Sequence, residues 1–194
     1  MKLKPVFPSD NTINQTNYYW FGNGFSNDEV DEVVNLSKNF LFEKGTTVDS
    51  VQRDEVRKSQ IKWLPYDSST EWIVDKLMEQ IIEANNIWKF DISSILDNIQ
   101  YTEYDGNGGH YDWHMDIGPN GISHRKISAV VQLSEPSEYE GGKLQIKNGP
   151  GELDVPQGKG TVVIFPSFLL HRVTPLISGN RKSLVFWVGG GHYK

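Results

Sequence analysis

Five short β-like runs fill the second half of the chain, and this pattern constrains the fold more than any other feature. The runs lie after residue 91, are separated by Gly, Pro and Asn residues, and read ILDNIQYTEY, KISAVVQL, GKLQI, GTVVIF and RKSLVFWV. Short runs of apolar and β-branched residues between turn residues are typical of antiparallel strands. We therefore expect this half of the chain to form a system of sheets.

Two amphipathic segments precede these runs. Ser26 and Glu29 have the spacing of a capping box, and the apolar residues that follow predict a helix to about Leu41. A second helix is expected after Ser69 as its N-cap, with an apolar face formed by Val74, Leu77, Met78, Ile81 and Ile82. Between the two helices, residues 55–63 favour a strand.

The last run predicts how the layers are arranged. Because side chains alternate along a strand, one face carries Arg181, Ser183, Val185 and Trp187, and the other carries Leu184, Phe186 and Val188. The apolar face is expected to pack on the helices, whereas the face with a charge and a hydroxyl is expected to line a cavity. The run from residue 126 to 133 is similarly apolar on the face of Ile127, Ala129, Val131 and Leu133.

These features together predict an α+β fold in which N-terminal helices support a jelly-roll core, also described as a double-stranded β-helix. A length of 194 residues suits one domain over residues 1–194, with the supporting helices at about 26–90 and the core at about 95–190.

Composition excludes several classes of protein. The net charge of -6 and the pI of about 5.4 argue against a nucleic-acid binder. The chain has no cysteine, which excludes disulfide scaffolds and thiolate chemistry. No signal-peptide pattern and no apolar run of membrane-spanning length occurs, so we expect a cytoplasmic protein that does not bind membranes.

A candidate metal site begins at His114 and Asp116. In an extended chain, residues two apart point to the same side, so the imidazole and the carboxylate would share one space. His171 is the best candidate for a third ligand. Two histidines and one carboxylate form the facial triad of non-haem Fe(II) oxygenases, which leaves coordination positions open.

The order of these residues resembles the motif set of the Fe(II)/2-oxoglutarate-dependent dioxygenases. The shared elements are a His-x-Asp motif, a distal histidine, and a basic residue about ten positions later with a hydroxyl two residues beyond it, here His114, Asp116, His171, Arg181 and Ser183. Additional features are similar to the prolyl hydroxylase branch, namely Tyr104, Tyr111, the run from Gly141 to Leu144, and Trp187. The resemblance extends from about Ile99 to Val188.

The resemblance implies that the triad binds Fe(II) and that 2-oxoglutarate and O₂ are consumed there, with ascorbate as a supporting reductant. Arg181 would anchor the far carboxylate of 2-oxoglutarate, with Ser183 and Tyr104 as additional donors. Where the branch often has a tyrosine near the cosubstrate, this chain has Gln132.

Three residues are assigned to a substrate pocket, namely Trp187, Tyr111 and Gln132. For Trp187 a place in the core is an equally good interpretation.

We therefore interpret the chain as a dioxygenase that hydroxylates prolyl residues in a peptide or protein and releases succinate and CO₂. A free amino acid or another small molecule is the next substrate class, and the oligomeric state is left open. Two other classes remain as alternatives. One is a metal-dependent hydrolase or isomerase on a cupin-like barrel, which gives Arg181 and Ser183 no role. The other is a non-catalytic metal-binding jelly-roll module.

Overall fold

A computed structural model of the chain describes residues 17–47, 51, 53–95 and 97–193. Its two α-helices are α1 (Asn27–Ser37) and α2 (Glu71–Trp88). Two short 3-10 helices lie at Asn120–His124 and Pro136–Glu138. The strands are, in chain order, β1 (Tyr19–Phe21), β2 (Glu43–Lys44), β3 (Arg57–Lys58), β4 (Gln60–Leu64), β5 (Ser94–Ile95), β6 (Ile99–Asp105), β7 (His110–His114), β8 (Arg125–Gln132), β9 (Tyr139–Gly141), β10 (Leu144–Asn148), β11 (Gly151–Asp154), β12 (Val162–Pro166), β13 (His171–Val173) and β14 (Leu176–Gly189).

Two antiparallel sheets contain all of these strands in the described part of the chain. The major sheet has the order β1-β12-β8-β14-β6-β4-β2, and β5 and β9 pair with the ends of β14. The minor sheet has the order β11-β10-β13-β7-β3. The expected strand at 55–63 is divided between the sheets, because β3 pairs with β7 and β4 pairs with β6.

The outer layer of the core lies between the helices and the major sheet. Buried apolar residues of α1 and α2, including Val33 and Leu77, belong to the same cluster as Leu184, Phe186 and Val188 of β14. The apolar face of β8 belongs to this cluster as well, at Ile127, Ala129, Val131 and Leu133. The alternation read from the sequence is therefore confirmed for both strands.

A second apolar cluster fills the space between the two sheets. It joins Val130 and Phe165 of the major sheet to Ile146 and Val173 of the minor sheet. The opposite faces of β8 and β14 point into this inter-sheet space, which is where the cavity lies. The layering is thus helices, major sheet and minor sheet.

The first helix begins as expected but ends earlier. Ser26 and Glu29 form the reciprocal capping box, with the Ser26 amide donating to the Glu29 carboxylate at 2.7 Å. The expected end at Leu41 is wrong, because α1 ends at Ser37. Lys62 of β4 donates to the Ser37 carbonyl at 2.9 Å and satisfies an acceptor at the helix end.

The second helix has a different first residue from the one expected. Thr70, not Ser69, precedes α2, and its hydroxyl makes no capping bond to the helix. The Ser69 hydroxyl instead donates to the Asp67 carboxylate at 2.6 Å, so that it is not available as a cap. No helix among the described residues is long and apolar enough to cross a membrane.

Candidate metal and cosubstrate site

The three expected ligands converge at one end of the minor sheet. His114 is the last residue of β7, His171 is the first of β13, and the two pair across the strands. Their Nε2 atoms lie 3.7 and 3.5 Å from the two carboxylate oxygens of Asp116. One ligand atom from each of the three residues lies within 4.8 Å of the others, so a single ion can contact all three.

Backbone carbonyls determine which nitrogen of each histidine is free to bind. His114 Nδ1 lies 2.7 Å from the Asp112 carbonyl, and His171 Nδ1 lies 2.9 Å from the Leu169 carbonyl. A carbonyl can only accept, so each Nδ1 carries a proton, and in the neutral tautomer the lone pair lies on Nε2. Both lone pairs are therefore held toward Asp116, as metal-binding histidines require.

Burial and neighbouring groups keep His114 and Asp116 in their metal-binding protonation states. Burial, followed by the proximity of His171, lowers the pKa of His114 well below its ordinary value. Burial alone would raise the pKa of Asp116, but His171, His114 and the Ser128 hydroxyl outweigh it and lower that pKa. At neutral pH the site thus offers a neutral His114 imidazole and a carboxylate, which is the form a divalent cation binds.

Ser128 orients the carboxylate ligand and was not identified from the sequence. Its hydroxyl donates to Asp116 at 2.7 Å and lies 3.0 Å from the Ser167 hydroxyl. The Asp116 amide also donates to the Ser167 carbonyl at 2.9 Å. The signal was present, since Ser128 is the polar residue on β8 between the apolar Ile127 and Ala129.

A cavity of about 260 Å³ opens over the ligand triad between the two sheets. Eight of the nine site residues predicted from the sequence line it, namely Tyr104, Tyr111, His114, Asp116, His171, Arg181, Ser183 and Trp187. Gln132 is the exception. Its side chain is buried behind Arg181 and does not reach the cavity surface, so its assignment to the substrate pocket stays a prediction.

Arg181 carries a buried positive charge that the described residues only partly satisfy. Its side chain is 1% exposed, and its guanidinium lies 5.5 Å from the centre of the Tyr104 ring. Nη2 donates to the Gln132 amide oxygen at 2.8 Å, but Nε and Nη1 have no hydrogen-bond partner in the described part of the chain. A buried cation with free donors is costly unless a ligand pairs with it. A carboxylate that enters the cavity would supply the missing acceptors, so the residues present fit an anionic cosubstrate.

Aromatic side chains line the cavity around the triad. The Tyr111 ring stacks on the His114 imidazole with centroids 3.4 Å apart, and burial raises the pKa of Tyr111 to about 12, so its phenol stays protonated. The Trp187 and Trp63 rings are 6.4 Å apart. The buried indole N–H of Trp187 makes no hydrogen bond of normal geometry among the described residues, but it is close enough to the Asp116 carboxylate to help lower its pKa. Trp187 therefore contributes to the cavity lining as well as to packing.

Two further arginines line the cavity and were missed by sequence reasoning. Arg57 of β3 lies over the Tyr111 ring at 4.5 Å and donates to the Thr46 carbonyl at 2.8 Å. Arg125, at the start of β8, lies over the Trp187 ring at 4.0 Å and pairs with Asp97 at 2.8 Å. Arg57 is distant in sequence from the motif residues, and the pairing of β3 with β7 brings it to the site. Arg125 follows Asp116 by nine residues and donates to the Asp116 carbonyl at 3.3 Å.

Sequence comparison identifies similar proteins. Residues 99–189 match the 2OG-Fe(II) oxygenase superfamily. The chain is 35% identical over 115 residues to the PKHD-type hydroxylase Bxeno_B2756 of Paraburkholderia xenovorans, a match that covers 55% of this chain and 49% of the relative. It is 41% identical over 87 residues to a PKHD-type hydroxylase of Teredinibacter turnerae, which covers 42% of this chain and 38% of the relative. The chain thus spans about half the length, or less, of these curated relatives.

Solved structures show the same fold. A prolyl hydroxylase from Trichoplax adhaerens, solved with a peptide fragment of the hypoxia inducible factor oxygen degradation domain, has a TM-score of 0.76 at 20% identity and covers 92% of this chain and 86% of its own. A prolyl-4-hydroxylase of Pseudomonas putida has a TM-score of 0.71 at 20% identity and covers 90% and 93% of the two chains. These similarities confirm the expected jelly-roll core with supporting helices.

Proposed function

We propose that the protein is a dioxygenase that hydroxylates prolyl residues of a peptide or protein, since its residues 99–189 match the 2OG-Fe(II) oxygenase superfamily. One observation carries the proposal. The His114–Asp116–His171 cluster and the partly unpaired Arg181 line the same buried cavity. This single space therefore suits both a divalent metal and an anionic dicarboxylate.

Each part of the site has a place in the reaction. His114, Asp116 and His171 would hold the iron, which when bound supplies the activation of O₂ for hydroxylation. Arg181 would bind the far carboxylate of 2-oxoglutarate, and Ser183 and Tyr104 would add hydroxyl donors. In the net reaction, a substrate C–H bond becomes C–OH, and 2-oxoglutarate and O₂ yield succinate and CO₂.

The cavity walls support a prolyl substrate. Trp63, Tyr111 and Trp187 present aromatic faces beside the triad, against which a saturated proline ring can pack. Arg57 and Arg125 are fixed at the same cavity and can donate to peptide carbonyls. The PKHD-type relatives are named hydroxylases, and the names of the prolyl hydroxylase structures are consistent with this substrate class. A free amino acid or another small molecule is the alternative substrate.

The test is succinate formation from 2-oxoglutarate with Fe(II), with and without proline-containing peptides, for the wild type and His114→Ala. We expect turnover that requires both iron and His114 and that a suitable peptide stimulates. Parallel reactions with and without ascorbate test whether this reductant supports turnover. A role for ascorbate and a cytoplasmic location both stay predictions.

Binding measurements keep this test decisive when the correct peptide is missing from the set. Metal-dependent binding of 2-oxoglutarate by the wild type would support the dioxygenase, even without stimulated turnover. Absence of both turnover and 2-oxoglutarate binding would contradict the proposal and favour the binding module. Turnover of a substrate without 2-oxoglutarate would favour the cupin-like hydrolase or isomerase.

A further inference from the structure

Gln132 is fixed behind the cavity by two contacts of its amide group. It is the last residue of β8 and pairs with Ser183 of the neighbouring strand β14. Its side chain is 1% exposed. Its Oε1 accepts from Arg181 Nη2 at 2.8 Å, and its Nε2 lies 3.5 Å from the Pro156 carbonyl. Since a guanidinium can only donate and a carbonyl can only accept, both contacts require the same orientation of the amide.

The aliphatic part of Arg181 is confined by close packing. Gly142 lies beside it with a φ of 57°, and a Cβ at that position would be 3.2 Å from Arg181 Cδ and 2.4 Å from Leu176 Cδ1. The Tyr104 ring lies on another side of the guanidinium, at 5.5 Å. The remaining freedom is rotation of the guanidinium plane, which the Gln132 bond restrains. The Nε and Nη1 donors, unpaired among the described residues, are thereby held in one direction.

The type of side chain at position 132 matters because of its charge. An amide oxygen orients the guanidinium but leaves its positive charge uncompensated. A carboxylate at the same place would pair with Arg181 and compete with an incoming anion. An apolar side chain would leave the guanidinium without its restraint. Glutamine meets both requirements, orientation and neutrality.

We propose that Gln132 is a positioning residue that aims Arg181 at the far carboxylate of the cosubstrate. It thereby sets the preference for a dicarboxylate 2-oxo acid over a monocarboxylate one. This inference rests on the proposed function, because it presupposes that a 2-oxo acid binds at the metal. It assigns Gln132 no contact with either substrate.

The experiment compares two ligands that differ at the far carboxylate alone. 2-Oxoglutarate and 2-oxobutyrate share the carboxylate and keto group that face the metal, but 2-oxobutyrate has no second carboxylate. The dissociation constant of each is measured by calorimetric titration of the Fe(II)-loaded protein without O₂, for the wild type, Gln132→Met and Gln132→Glu. The methionine variant keeps the side-chain volume and removes the acceptor.

We expect Gln132→Met to weaken 2-oxoglutarate binding about tenfold, the equivalent of one hydrogen bond to a charged group, and to leave 2-oxobutyrate binding unchanged. Gln132→Glu should weaken 2-oxoglutarate binding further, because its carboxylate neutralises Arg181. The matched control is Gln145→Met. Gln145 also accepts from an arginine at 2.8 Å, from Arg172, but it lies outside the cavity, so both ligands should bind as to the wild type.

Two results would overturn the inference. If Gln132→Met weakens both ligands equally, Gln132 has only a structural role. If Gln132→Met and Gln132→Glu both bind 2-oxoglutarate like the wild type, Arg181 needs no positioning. Either result differs from failure of the proposed function, in which the wild-type protein itself does not bind 2-oxoglutarate in the presence of Fe(II).

Discussion

At the scale of a single residue, Arg181 is a buried charge that destabilises the fold unless a ligand pairs with it. Its side chain is 1% exposed, and two of its nitrogens have no partner among the described residues. A folded protein tolerates such a group where a ligand completes its hydrogen bonds. The planar fork of an arginine suits a carboxylate, which a lysine at the same place would hold less specifically.

The first prediction concerns Arg181→Ala. Loss of the guanidinium should weaken 2-oxoglutarate binding by about tenfold to a hundredfold, since a charge-assisted bond contributes roughly 1.5–3 kcal/mol. Metal binding should stay unchanged, because Arg181 is not part of the ligand cluster. Separate titrations with Fe(II) and with 2-oxoglutarate check both statements. An equal loss of both affinities would indicate that Arg181 has a structural role.

Ser128 would act on a bound metal through Asp116. Its hydroxyl donates to the carboxylate at 2.7 Å and restricts the orientation of this ligand. Partners of this kind are typically worth tenfold to a hundredfold in metal affinity. We therefore predict that Ser128→Ala weakens Fe(II) binding by about that factor. Ser178→Ala, an exposed serine on β14, is the control and should bind Fe(II) normally. Unchanged affinity in Ser128→Ala would show that Asp116 is oriented without it.

At the scale of elements, the Glu29 carboxylate of α1 forms an ion pair with Lys76 of α2. Glu29 completes the capping box with Ser26 and also accepts from Lys76 of α2, at 2.7 Å. The bond to Lys76 lowers the pKa of Glu29, although partial burial opposes the shift. Since the folded state prefers the carboxylate, this stabilisation is complete above the ordinary value of 4.5 and is lost as the pH falls below it.

Glu29→Gln should therefore reduce stability by roughly 0.2–1 kcal/mol at pH 7, the range for a partly exposed ion pair, because glutamine can still complete the capping box. The difference between wild type and variant should shrink as the pH is lowered from 6 to 3, because acid removes the same interaction from the wild type. Urea unfolding at several pH values measures both effects. Glu32→Gln makes the same change at an exposed position of α1 and should show neither effect. A difference that does not vary with pH would rule out the ionised pair as its cause.

Strand β14 shows how much of the site can be predicted from the local sequence pattern. Side-chain alternation in β14 predicted correctly which residues face the cavity and which face the helices, since this depends only on neighbours in sequence. The end of α1 at Ser37 was not predictable in this way, because Lys62 of β4 supplies the bond to its carbonyl. The bond of Gln132 to Arg181 was not predictable for the same reason, since the two residues lie 49 positions apart.

At the scale of the whole molecule, an acidic chain surrounds a cavity that carries three arginines. The net charge is -6, yet Arg57, Arg125 and Arg181 all line the cavity. Of the acidic residues, Asp97 and Asp116 line it as well, and Asp97 is paired with Arg125. The local balance therefore favours an anionic ligand once a divalent cation is bound. Composition alone could not predict this, because β3, β8 and β14 each contribute one of the arginines.

Both the metal and the cosubstrate should stabilise the fold, and the cosubstrate should do so only after the metal has bound. The ligands His114 and His171 come from β7 and β13, and Arg181 comes from β14 of the other sheet. A bound metal therefore ties the minor sheet together, and 2-oxoglutarate then joins it to the major sheet. A ligand present at a hundred times its dissociation constant adds about 2.7 kcal/mol, or roughly 5–10 °C in the melting temperature of a protein of this size.

We predict that Fe(II) without O₂ raises the melting temperature of the wild type, that 2-oxoglutarate adds a second increase with the metal present, and that it adds much less when a chelator removes the metal. His171→Ala should lose both increases, because it lacks one ligand and the cosubstrate needs the metal. Arg181→Ala should keep the first increase and lose most of the second. Calorimetric melting of the three proteins measures all of these shifts. Equal stabilisation of His171→Ala and wild type by Fe(II) would place the metal elsewhere, since the cavity triad would then not be its binding site.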